Sequence, residues 1–176
     1  MTDLQYPIGK LERKNQLAQG ERTIMIQQIA EAPASLRKAV AGLDDRQLDT
    51  PYRPDGWTVR QVVHHLPDSH MNAYIRVKLG LTESQPPVKP YNEKLWAELF
   101  DVKTAPVEAS VKLLESLHER WVLLLRSLSP ADCARALMHP ELGVMTIDFI
   151  INLYSWHGRH HVAHITSLRE RMGWSE

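Results

Sequence analysis

An all-α chain folded as a four-helix bundle with long connections is expected from three features of the sequence. Apolar residues recur with helical period over four long stretches. Segments rich in proline and aspartate separate those stretches, and neither internal repeats nor low-complexity tracts interrupt them. With 176 residues, the chain has the size of one domain, 1–176, and enough length to bury a real core.

The first helix is expected over 18–42, with a kink or break at Pro33, whose ring removes a backbone donor and clashes one turn back. The polar connection DDRQLDTPYRPDGW follows. A second helix starts at Thr58, where Thr58-Val59-Arg60-Gln61 fits a capping box. It runs to about Leu79, and Gly80 and TESQPPVKP then stop it. A short helix over 92–100 leads to a third long one, with Pro106 in its first turn and its end near Ser129-Pro130. Residues 130–145 read as irregular with a brief hairpin around Gly143. The last helix runs from about Thr146 to Met172, with Gly173 as its stop.

Lys plus Arg equals Asp plus Glu at 21 each, so no global field gathers nucleic acid or an anionic membrane surface. No apolar run approaches the roughly 18 residues needed to span a bilayer, and the N-terminus lacks a signal-peptide pattern. One cysteine, Cys133, permits no internal disulfide and no Cys-x-x-Cys zinc ribbon, so a reducing cytoplasm is the expected compartment.

The chemistry concentrates in histidine. Four of the nine, His157, His160, His161 and His164, fall within eight residues of the last helix. At about 100° per residue they share an arc of about 100° with Ile150, Leu153, Tyr154 and Leu168, so they interrupt the apolar stripe. Buried imidazoles need partners for two ring nitrogens each, and burial favours their neutral form. A divalent metal meets that need by taking one nitrogen from side chains a turn apart, and both His157/His161 and His160/His164 have that spacing. No glutamate follows His157, so this is not the zincin motif. Two ligands do not complete a site, and a partner helix must add more. The competing reading is a histidine-rich surface tract.

The second helix carries the other dense group, HHLPDSHMN, and periodicity alone does not choose between His64 and His65. With His65 inward, Asp68, Ser69, Asn72 and Arg76 share its face and suit a pocket lining, with Asp68 placed to orient or deprotonate an incoming group. His118, among charges, and His139, before Pro140, read as surface or capping residues.

GWTVRQVVHHL followed far downstream by SWHGRHHVAHI resembles the DinB/YfiT-like superfamily of metal-binding four-helix bundles. The likeness extends to YPIGK near the N-terminus, to LDTPYRPDGWTVRQVVHHLPDSHMNAYIRVKL, and to RMGW at the end. The resemblance implies one divalent metal on three histidines: His65 before Leu66, His157 after Trp156, and His161. His160 and His164 become neighbours of the site, with His164 the first alternative ligand. Pro67 departs from the pattern, since similar sequences carry a helix former there; an interior proline costs about 3 kcal/mol and either bends the helix or changes how His65 is presented.

The resemblance further implies a metal-dependent enzyme acting on a small molecule, either a hydrolase or an S-transferase of low-molecular-weight thiols such as bacillithiol, and a homodimer. Zinc is the default for a three-histidine site, and nickel also suits imidazole. A non-catalytic metal-binding or sensor module is the alternative, distinguished by whether the fourth coordination position opens into a cleft.

Overall fold

The computed structural model describes residues 3–174. Its elements run α1 (Gln19–Val40), α2 (Asp45–Leu48), α3 (Val59–Thr82), α4 (Glu93–Trp96), α5 (Phe100–Thr104), α6 (Val107–Arg126), α7 (Pro130–Cys133), β1 (Ala136–His139), β2 (Gly143–Thr146) and α8 (Ile147–Met172). The four long helices α1, α3, α6 and α8 form a four-helix bundle: α1 packs on α8 and α6, and α3 packs on α6 and α8. No helix among the described residues is long and apolar enough to cross a membrane.

Local chemistry sets the helix ends. Thr58 caps α3 reciprocally with Gln61: Gln61 N donates to Thr58 Oγ1 at 3.2 Å, and Thr58 N donates to Gln61 Oε1 at 2.9 Å. Thr146 accepts from Phe149 N at 3.0 Å to start α8, and Gly173, left-handed at φ 64°, ends it. The expected hairpin is an antiparallel pair with Leu137 opposite Met145 and His139 opposite Gly143. Pro106 is the cap before α6 and not a residue of its first turn, because α5 and a one-residue extended link occupy the approach. The short helix expected over 92–100 is two separate turns, α4 and α5.

Both interior prolines lie in unbroken helices. Pro33 is buried within α1 and Pro67 within α3, and neither helix breaks there. Packing on both sides holds the backbone on course, so the effect of each ring is confined to one lost donor and an orphaned carbonyl one turn earlier. The missing donor at Pro33 leaves the Ile29 carbonyl free for a partner outside its helix.

The N-terminal segment is strapped along α8. Leu17 N donates to Asp148 Oδ2 at 3.0 Å, Lys14 N to Asn152 Oδ1 at 3.0 Å, and Trp156 Nε1 to the Gly9 carbonyl at 3.1 Å. Buried Asp148 also pairs with Arg22 at 2.7 Å, so one carboxylate ties the strap and α1 to the start of α8.

Helices α1 and α8 approach closely at Gly158, where a Cβ would lie 2.9 Å from Ala32 Cβ and 3.6 Å from His70 Cε1. Because Ala32 Cβ is bonded directly to the helix backbone and cannot rotate away, the helices themselves would have to separate. Gly158→Val should lower stability by about 1–3 kcal/mol through overpacking. Chemical denaturation of the two proteins checks this; equal midpoints would show that the interface accommodates the added bulk.

Candidate metal centre

Two apolar cores occupy the two ends of the bundle, and a layer of imidazoles lies between them. One core holds Ile26 and Ile29 of α1, Ala73 and Val77 of α3, Trp121 and Leu125 of α6, and Ile150 and Tyr154 of α8. The other holds Leu36, Val62, Leu66, Leu114, Ile165 and Leu168. On each helix except α1 the residues between these sets include histidine: His70 on α3, with His65 directly before Leu66, His118 on α6, and His157, His160, His161 and His164 on α8. The interruption of the apolar stripe in the sequence is thus a polar layer across the waist of the bundle.

Within that layer His65, His157 and His161 converge, each offering one ring nitrogen within 4.8 Å of the other two. His65 Nε2 and His157 Nε2 are 3.3 Å apart. Two nitrogens on a tetrahedral zinc at about 2.0–2.1 Å would be separated by roughly 3.3–3.4 Å, so this spacing fits a shared ion. The rings of His157 and His161 meet edge-on at 4.5 Å, as one helical turn dictates. Trp57 packs against two of the three, with its ring 4.7 Å from that of His65 and 6.3 Å from that of His161.

The electrostatics suit a metal as well. Burial pushes His65 down to about 4. Burial, then neighbouring imidazoles, holds His157 and His161 well below the ordinary histidine range. All three are therefore neutral at physiological pH, the form in which imidazole donates a lone pair. The donor set of three neutral nitrogens fits a divalent, zinc-like ion.

The three imidazoles line one side of a cleft of about 820 Å³. Its other walls bring Ser69, Arg76 and Tyr154 from the bundle together with Tyr91, Glu93 and Lys94 from the α3–α5 connection and His139 from the hairpin. Burial pushes the Tyr91 phenol up to about 12, so it remains a hydrogen-bond donor.

His64 turns away toward α6, with Nδ1 2.7 Å from Ser110 Oγ, so the structure chooses between the adjacent histidines. His160 stacks on Trp156 at 4.1 Å and His164 on Tyr52 at 3.9 Å. His164 Nε2 also lies 3.1 Å from the Gln5 carbonyl, which only accepts, so that nitrogen is a donor. Ser69 and Arg76 line the cleft as expected, whereas Asn72 Nδ2 bonds back to the Asp68 carbonyl at 2.8 Å. Asp68 is half-buried and is not among the residues lining the cleft; burial first and then Asp101 raise its carboxyl to about 6.

Two expectations are corrected. His118 is not a surface or capping residue: it is 2% exposed, with Nδ1 2.7 Å from the Ile29 carbonyl and Nε2 2.7 Å from His70 Nδ1. Its charged neighbours in sequence mislead, because the helical spacing from Leu114 to Trp121 and Leu125 puts it on the inward face. His139 does cap, accepting from Glu141 N at 3.1 Å and Leu142 N at 3.2 Å, but it is buried and lines the cleft. Tyr91 lies on an irregular connection whose path periodicity does not constrain, and Lys94 on the single turn α4 that follows it; no sequence signal singles either out.

Fold and site together define a class of protein: a four-helix bundle with a three-histidine cluster of metal-binding geometry at its waist. The DinB superfamily model matches residues 28–165, and the chain belongs to that superfamily. It is 55% identical over 174 residues, 99% of this chain and 100% of theirs, to proteins named “Putative metal-dependent hydrolase” in Bacillus cereus and in Bacillus thuringiensis subsp. konkukian. It superposes with a TM-score of 0.95 on YfiT from Bacillus subtilis, described as a probable metal-dependent hydrolase with an unusual four-helix bundle topology. That match is 51% identical and covers 98% of this chain and 99% of the other.

Proposed function

We propose that the protein is a metal-dependent hydrolase of a small molecule, with one divalent ion, zinc by donor chemistry, held by His65, His157 and His161. The observation that carries this reading is that the three imidazoles stand in the wall of a cleft of about 820 Å³, which leaves a fourth position facing substrate. A sensor or structural site would instead be closed by a fourth protein ligand. When bound, such an ion supplies Lewis acidity, polarising a substrate oxygen and acidifying water.

The chain's own residues do the rest. Trp57 packs against His65 and His161 and helps to hold their rings in place. Arg76 and Lys94 offer positive charge to an anionic substrate group, and the Tyr91 phenol offers a neutral donor. The 2.8 Å Asn72–Asp68 bond stays within α3, and neither residue is assigned a catalytic part. The compartment we assign is the cytoplasm, where buried Cys133 stays reduced. The homodimer implied by the family resemblance belongs to the same reading, and sedimentation of the intact chain checks it.

A turnover screen of zinc-loaded protein tests the activity. Ester and amide substrates form one arm; a small thiol plus an electrophile forms the other. Hydrolysis that disappears with a chelator and returns with zinc is expected. Chelator-sensitive turnover only in the thiol arm would make the protein an S-transferase, and turnover indifferent to chelation would remove the metal from the reaction.

A further inference from the structure

Three hydrogen bonds run from the candidate metal centre through all four long helices. His157 Nδ1 on α8 is 3.1 Å from His70 Nε2 on α3; His70 Nδ1 is 2.7 Å from His118 Nε2 on α6; and His118 Nδ1 is 2.7 Å from the Ile29 carbonyl on α1. We infer that this chain is a positioning relay in which His70 and His118 fix the tautomer and ring orientation of His157, so that its Nε2 lone pair is presented beside His65. The inference rests on the proposed metal site for its purpose, though not for its hydrogen-bond geometry.

The direction of the relay follows from its closed end. A carbonyl oxygen only accepts, so His118 Nδ1 carries a proton. A neutral His118 then has a bare Nε2, which must accept from His70 Nδ1. A neutral His70 in turn has a bare Nε2, which accepts from His157 Nδ1–H. One tautomer per ring satisfies every bond, and it leaves Nε2 of His157 bare. The opposite polarity needs a charged His118 in an apolar setting and would put a proton on His157 Nε2, 3.3 Å from His65 Nε2.

The anchor itself has a cause in the sequence. Ile29 is four residues before Pro33, the residue that would otherwise donate to the Ile29 carbonyl within α1. The proline therefore supplies an acceptor inside a helix, and His118 takes it. Trp121 and Tyr154 meet the His70 ring edge-on at 5.9 and 4.9 Å, which holds it against rotation. Gly158 leaves room beside His70 Cε1. Partners of this kind on a ligating histidine are worth roughly 10–100-fold in metal affinity.

Nitrogen-15 NMR of metal-free protein at pH 7.5 tests the relay directly. Protonated Nδ1 and bare Nε2 on His157, His70 and His118 is the expected pattern; protonated Nε2 on His157 would overturn it. Zinc titration of variants gives a second reading. His118→Phe should weaken zinc 10–100-fold, whereas His118→Gln, whose amide can donate to Ile29 and accept from His70, should recover most of the loss. Equal affinity in wild type and a folded His118→Phe would also overturn the relay. Stoichiometric zinc in His157→Ala would refute the metal site instead, and the tautomers of the metal-free wild type would still decide the relay.

Discussion

Replacing His157 with alanine should reduce zinc affinity by a hundredfold or more and remove stoichiometric metal from the purified protein. The apparent 10–16 kcal/mol of a four-ligand structural zinc site corresponds to roughly 3 kcal/mol per ligand, and 1.4 kcal/mol is a factor of ten. His65→Ala and His161→Ala should behave alike, because each supplies one of the three converging nitrogens. His164→Gln is the informative control. It changes the alternative ligand that helical phase offers on the same helix, but His164 is not among the three converging nitrogens and its Nε2 is committed to the Gln5 carbonyl at 3.1 Å, so metal content should be unchanged. Metal analysis after gel filtration, with circular dichroism to establish folding, separates the two. Loss of metal in His164→Gln together with retention in His157→Ala would move the site one turn along α8.

The second large effect is acid instability of the metal-free protein. Burial holds His65, His118 and His160 at about 4, while His70, His157 and His161 also fall below the ordinary value of 6.5. The unfolded chain takes up these protons below pH 6.5 and the native state does not. Stability is therefore fully present above 6.5 and declines as pH falls toward 4. Each such histidine contributes about 1.4 kcal/mol per pH unit, against a total of about 5–15 kcal/mol for a typical domain. Asp68 opposes the trend: its folded value near 6 exceeds the ordinary 3.8, so its protonation favours the fold between those values. It offsets only about one histidine. The metal-free protein should unfold before pH 4, with Tm level above pH 7 and falling steadily below 6.5. Bound zinc adds stability at neutral pH and leaves as the imidazoles charge. A Tm independent of pH from 7 to 4.5 would mean that the waist imidazoles are solvated and not buried.

The contrast between elements shows which physics a sequence exposes. Three helix ends are readable because capping is local: Thr58 with Gln61, Thr146 and Gly173 each act within a turn of the end they define, whereas Gly80 does not stop α3, which runs on to Thr82 with that glycine buried inside it. The clustering of histidine on the inner arc of α8 was readable for the same reason, since helical phase is a local property. Periodicity left His64 and His65 equivalent, because a one-residue rotation decides which face meets α8 and which meets Ser110 of α6. His118 is disguised by its charged neighbours in sequence, although its spacing from Leu114 and Trp121 places it on the inward face. The relay is nonlocal, joining residues 29, 70, 118 and 157 through helix packing alone. Pro33 and Pro67 looked like helix breakers because their local cost is real. Tertiary packing absorbs it, and at Pro33 the freed carbonyl acquires a partner on another helix.

Anomalous diffraction at the zinc absorption edge, on crystals of protein prepared without chelator and supplied with one equivalent of zinc, tests the metal centre most directly. One peak is predicted, about 2.0–2.1 Å from a ring nitrogen of each of His65, His157 and His161, with its remaining position facing the cleft. A map with no peak among those three rings, or with its principal peak on other side chains, would contradict the account.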